Sequence, residues 1–153
     1  MSSLADLYTE LKSDVVAIAD PLFEQSRKRL QASDDFLPHA AVLSAEGKVV
    51  LIGAMTGSKN GQANAMHILP MVHGGIRQMS REKVLVAFGI AQNVTLTRGD
   101  MPMQAVKVQL EHERGLSVAL FLPFYKSGEG EYYFGESFVT PANPDLNLWP
   151  PVP

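Results

Sequence analysis

The stretch from Met103 to Thr140, MQAVKVQLEHERGLSVALFLPFYKSGEGEYYFGESFVT, constrains the fold more than any other part of the chain. Val106, Val108 and Leu110 alternate with Lys107, Gln109 and Glu111, the period-two pattern of a strand with one buried and one wet face. Glu113-Arg114-Gly115 supplies a turn. Leu116 to Leu122 is apolar on both faces, as suits a strand covered on each side or lying at an interface. Lys126 to Glu131, with Gly128 and Gly130, forms a second turn, and Tyr132 to Val139 reads as a third strand. Three antiparallel strands joined by short turns must bury an apolar face, so the remaining segments are read as its cover.

Upstream, Leu4, Leu7, Leu11, Val15 and Ile18 follow helical spacing, with Ser3 and Asp6 placed as a capping pair. Asp20-Pro21 breaks the pattern and predicts a second helix, or a kinked continuation, to about Gln31, with Leu22, Phe23, Ser26 and Leu30 inward. Phe36 to Leu43 and Val49 to Ala54 flank an Ala45 to Lys48 turn and predict a hairpin; Pro38 suits an edge or a first strand position. A helical stretch is expected from Gln62 to Met79, crossed by Pro70 and Gly74-Gly75. Val84 to Phe88 and Val94 to Leu96 predict one long bent strand or two short ones, with Gly89 at the bend. The expected class is α+β: a single antiparallel sheet of about five to six strands, with N-terminal helices and one mid-chain helix on one face. Residues 1–140 form the domain. Residues 141–153 contain five of the ten prolines and predict an extended arm.

Composition narrows the function classes. Charged residues make up 19% of the chain and apolar residues 46%, a globular balance far from that of disorder. A net charge of -3 with scattered basic residues argues against a nucleic-acid footprint, which needs clustered Lys and Arg. No cysteine is present, which excludes disulfides, thiolate zinc sites and cysteine nucleophiles. The acidic start and the lack of a long apolar run argue against a secretory signal and a membrane-spanning helix, so a cytoplasmic location is expected.

Four short patches carry a resemblance. Phe36-Leu37-Pro38-His39-Ala40 opens a strand before Glu46-Gly47, VKVQLEHERG spans Val106 to Gly115, Phe121-Leu122-Pro123-Phe124-Tyr125 ends a strand, and Tyr133-Phe134-Gly135-Glu136 closes the last one. With the helical start, this resembles a set of small bacterial proteins of uncharacterised function over roughly residues 20–140. The resemblance supports the strand register and implies no activity.

Candidate chemistry is sparse. His67 and His73 lie six apart, which is not the i,i+4 spacing of two ligands on one helix face. His112 continues the face of Val106, Val108 and Leu110, while Glu111 and Glu113 point the other way. His39, His112, Glu111 and Lys59 are the candidates for a polar site. Lys59 belongs to Gly53 to Asn60, a strand-to-helix loop that lacks the glycine-lysine order of a phosphate-cradling loop. No G-x-S-x-G elbow occurs, and no catalytic residue, metal or cofactor is assigned.

Apolar surface carries the functional expectation instead. Ala119, Phe121, Tyr132, Tyr133, Phe134 and Trp149 form the expected interaction surface, covered by a second copy with the arm reaching across. A homodimer and a protein partner are therefore expected, without nucleic acid or membrane. The leading function is a non-catalytic interaction or adaptor module. The alternative is a small-molecule or peptide-binding domain with a pocket between the sheet and the 62–79 segment.

Overall fold

A computed structural model describes residues 3–53 and 65–149. The chain runs α1 (Leu4–Glu10), α2 (Lys12–Ser33), β1 (His39–Ser44), β2 (Val49–Ile52), α3 (Ala65–Glu82), β3 (Leu85–Arg98), β4 (Met101–His112), β5 (Ser117–Lys126), β6 (Tyr132–Phe134) and β7 (Phe138–Pro141). All seven strands join one antiparallel sheet in the order β2-β1-β3-β4-β5-β6, and β7 pairs with β5 beyond β6. The α+β class read from the sequence is the observed one. The expected last strand, 132–139, is two short strands on one edge of β5, parted by Gly135, Glu136 and Ser137. None of the described helices is long and apolar enough to cross a membrane.

The Ser3 capping box starts α1: the hydroxyl accepts the Asp6 amide at 3.1 Å, and the Asp6 carboxylate accepts the Ser3 amide at 3.4 Å. The helix break falls at Leu11, whereas α2 continues unbroken through Pro21. Proline leaves the Ala17 carbonyl without its helical donor, but Ala17 is only half-buried, so water can reach that oxygen. Val15, Ile18, Leu22, Ser26 and Leu30 are buried along one stripe of α2, and that packing outweighs the lost bond. Likewise α3 passes through exposed Pro70 without a break; residues 62–64 of the expected helix lie outside the described residues.

Register explains where the helices go. Ala41, Gly89, Leu110 and Val118 are successive cross-strand partners, and their face packs on α2 with Leu43, Val106, Val108 and Leu122. The neighbouring residues Ala40, Val42, Phe88 and Ile90 face the opposite way and pack on Ile68, Val72 and Ile76 of α3. The sequence expectation of one helical face is thus corrected in this detail. The reason is β1, which is buried at all six positions between β2 and β3 and so requires cover on both sides. Gly89 marks a close helix-to-sheet approach and no bulge: a Cβ there would sit 2.5 Å from Ile18 Cγ2.

Candidate functional site

The far end of the sheet opens into a groove. Antiparallel pairing matches Phe124 with Phe134 and Tyr125 with Tyr133, and alternation sends the two pairs to opposite faces. Phe124 is buried on the α2 side, and the Arg27 guanidinium lies 5.6 Å from the centre of the Phe134 ring. Tyr125 and Tyr133 stack at 5.3 Å on the other face and remain 62% and 45% exposed. Beside them lies a groove of about 650 Å³ whose lining includes Pro102, Met103, Pro123 and Gly135. Two prolines help to open it. β4 pairs with β5 only from Gln104 onward, and Pro102 has no amide to extend that ladder; Pro123, paired with Ala105 inside it, lacks an amide on the β6 side. The Pro123 carbonyl instead accepts the Gly135 amide at 2.8 Å.

The groove's aromatic wall is pinned to α2. Asp34, in the left-handed conformation at φ 62°, ends that helix. Its Oδ1 accepts Lys126 Nζ and the Tyr132 hydroxyl, each at 2.8 Å. These bonds hold the Asp34 carboxyl below its usual range. Tyr133 is fixed in turn by donating to Glu131 Oε2 at 3.0 Å. The ring pair is therefore presented on a positioned strand end.

Midway along the same face lies a second feature. Gln109 and Glu111 project from β4 away from α2 and are 2% and 3% exposed. The segment 142–149 runs back over them as a strap. Gln109 Nε2 donates to the Asn143 carbonyl at 3.0 Å, and Glu111 Oε2 accepts the Asp145 amide at 2.8 Å. Leu146 is buried among the α3 contacts. Trp149 stacks on Phe88 at 5.9 Å and donates its indole N–H to the Leu85 carbonyl at 3.1 Å. Burial raises the Glu111 pKa, with the Asp145 charge adding to it, and the Asp145 and Leu146 amides partly offset the shift. Nearby, His73 Nε2 and Ser117 Oγ are buried without a hydrogen-bond partner among the described residues. Burial lowers the His73 pKa.

The two histidines singled out in the sequence do not meet. The register sets them two strands across and four residues along, about 16 Å apart. His39 Nδ1 lies 2.9 Å from the Leu37 carbonyl, which can only accept, so Nδ1 carries the proton and Nε2 faces Ser26 Oγ at 3.3 Å. Burial lowers the His39 pKa. At His112 the Arg114 amide donates to Nδ1 at 3.1 Å, so Nε2 carries the proton and donates to Asp14 Oδ2 at 2.9 Å. Both His112 nitrogens are thus occupied in clasping the β4–β5 turn to α2. Glu111 projects from the opposite face, and Lys59 lies outside the described residues.

The six expected interaction residues also separate. Ala119 and Phe121 are buried on the strap side, with Phe121 stacked on Phe138 at 5.1 Å. Tyr132 and Phe134 pack on the α2 side. Tyr133 and Phe134 line the groove while Tyr132 does not, and Trp149 packs on its own chain's Phe88. Sequence reasoning missed Tyr125, although its equal distance with Tyr133 from Glu129, within the 126–131 turn, was the available signal. Among the described residues, no group of three or more His, Asp or Glu could hold a metal ion. No family model, no curated protein and no solved structure matches this chain.

Proposed function

We propose that this protein is a non-catalytic interaction module whose aromatic groove holds an extended, proline-bearing segment of another protein. The observation that carries this reading is the stacked, exposed Tyr125–Tyr133 pair beside an apolar groove. Proline-rich segments adopt a preformed extended helix and dock between aromatic side chains, losing little conformational freedom. Tyrosine suits the task because it offers a large rigid face with a polar tip. The alternative, a pocket between the sheet and α3, has less support: Ile68, Val72, Ile76 and Leu146 pack in that space against Phe88 and Ile90.

Fluorescence polarisation with a panel of labelled proline-rich decapeptides tests the proposal on the full chain. At least one peptide should bind, and Tyr125→Ala should weaken it tenfold or more, about the loss expected of an aromatic hot spot. The melting temperature should be unchanged, because the ring is exposed. Peptides that bind the variant and the parent equally, or a panel with no binder, would overturn it.

A further inference from the structure

The rim of the aromatic groove carries a positioned carboxylate that no cation of the chain neutralises. We infer that the segment held in the groove bears an arginine beside its prolines, with the guanidinium lying on the Tyr125–Tyr133 stack and pairing with Glu131. The inference rests on the reading of the groove given above, as the seat of a proline-bearing segment, and names what that segment carries.

The Tyr133 hydroxyl places the carboxylate. It donates to Glu131 Oε2 at 3.0 Å, which holds one carboxylate oxygen beside the tip of the ring pair and leaves the other free to accept. Glu131 is exposed, and none of the described ion pairs includes it.

The surrounding charge has the same sign. From Phe121 to Thr140 the sequence has Glu129, Glu131 and Glu136 against Lys126 alone. Lys126 borders the groove, but it follows Tyr125 on the strand and so turns to the α2 side, where Asp34 Oδ1 accepts its Nζ at 2.8 Å. Arg27, against the α2 side of Phe134, pairs with Glu24 at 3.6 Å. Arg98 and Asp100, at the tip of the β3–β4 hairpin, cancel in charge. Lys107 shares the open face but is registered with Phe121, four residues from Tyr125 and so about 13 Å away, beyond the Debye length of about 8 Å at physiological ionic strength. The groove therefore offers apolar and aromatic walls with a net negative rim, which is complementary to a cationic guest.

Arginine suits the geometry better than lysine. Its planar guanidinium can lie on an aromatic face while its edge donors reach a carboxylate. Tyr125 and Tyr133 offer such faces, exposed and within 19° of parallel. An arginine that precedes a proline also keeps the extended backbone the groove requires, because the proline ring disfavours helical geometry in the residue before it.

Fluorescence polarisation on the full chain tests the inference with labelled decapeptides that share their prolines and differ at one flanking position. That position is Arg, Lys, Gln or Glu, placed before the prolines in one set and after them in another. In one set the Arg peptide should bind about tenfold tighter than the Gln peptide, the combined size of an exposed ion pair and an exposed cation–π contact, with Lys between them and Glu weakest. The preference should shrink between about 0.01 M and about 0.15 M salt, as the Debye length falls from about 30 Å to about 8 Å. Glu131→Gln keeps an oxygen for the Tyr133 hydroxyl, so it should leave the Gln peptide unaffected and cut the Arg preference about threefold, the share of the ion pair. Equal binding of the Arg, Gln and Glu peptides in both sets, each weakened by Tyr125→Ala, would overturn the inference and spare the reading of the groove. An Arg preference unchanged in Glu131→Gln would overturn it in the same way. A panel with no binder would overturn both. A dimer mass by light scattering that Tyr125→Ala reduces to a monomer would put a second copy in the groove and overturn the inference too.

Discussion

Adding one carbon at Gly89 gives a sharp test of how α2 seats on the sheet. An alanine Cβ would lie 2.5 Å from Ile18 Cγ2, 3.1 Å from Leu22 Cδ1 and 3.2 Å from Val108 Cγ1. Ile18 is fully buried, and a β-branched residue on a helix has essentially one χ1 rotamer, so its methyl cannot swing clear. Helix or strand must shift by about 1 Å to restore a carbon contact near 3.5 Å. Overpacking of this kind costs about 1–3 kcal/mol, and the shortness of the contact points to the upper part of that range. Losing a glycine from the unfolded chain offsets about 0.5–1 kcal/mol. Gly89→Ala should therefore destabilise the fold by about 1–2 kcal/mol, read as a lower urea midpoint at unchanged slope. Ile18→Ala removes the methyl that is struck and alone should cost about 2–5 kcal/mol. The double variant should lose at least about 1 kcal/mol less than the sum of the two. Additivity to within about 0.5 kcal/mol, or a Gly89→Ala midpoint equal to that of the parent, would refute the close-approach argument.

Further expectations follow from the buried polar groups and the caps. His39 has a folded pKa below its usual value of about 6.5, because burial disfavours the imidazolium. Its stabilising contribution is thus present above that pH and lost as pH falls through the depressed value; NMR of the His39 ring should show titration only below the usual range, and His73 should shift the same way. Glu111 acts with the opposite sign: its raised pKa gives a contribution present below the usual glutamate range and lost as pH rises through the folded value. Glu111→Gln should remove that dependence from melting curves recorded between pH 4 and pH 7, and an unchanged profile would count against the burial argument. Leu146→Ala should cost about 2–4 kcal/mol if the strap unfolds with the domain, and should shift the emission of the single tryptophan to longer wavelength as the strap loosens. Ser3→Ala should cost about 1 kcal/mol of α1 stability, seen as lost helical ellipticity without a change at the groove.

Much of the sheet was legible because its signals are local. Val106, Val108 and Leu110 set the face of β4, and Gly47, Gly99, Gly115 and Gly130 sit at positive φ in the hairpin turns, where glycine avoids a side-chain clash. The parts that escaped depend on contacts distant in sequence. Pro21 reads as a break until Ile18 and Leu22 are seen packed on β3 and β4. Gly89 reads as a bend until α2 is laid across it. The arm reads as an extended segment reaching to a second copy until Gln109 and Glu111, which look like the wet face of β4, prove to be covered by it. A side for α3 could have been found in the sequence, since His39 to Leu43 is too apolar for a strand with one open face. The groove combines both cases: its aromatic residues are visible in sequence, but only the register tells Tyr125 and Tyr133 from Phe124 and Phe134.

The β3–β4 hairpin holds a further consequence in its length. β1 stops pairing with β3 at Ala91, and β5 stops pairing with β4 at Gln104, so among the described strands residues 92–95 have a neighbour on one edge only, and the segments 96–98 and 101–103 have only each other. A two-stranded ribbon in water is marginal by itself, whereas its root is clamped by neighbours on both sides. Amide hydrogen exchange should therefore run as a gradient along one continuous hairpin, fastest near Gly99 and slowest around Gly89 and Leu110. Pro102 and Met103, one wall of the aromatic groove, sit on the soft end of that gradient. The groove can then widen for a bulkier guest by local breathing, without disturbing the clamped half of the sheet.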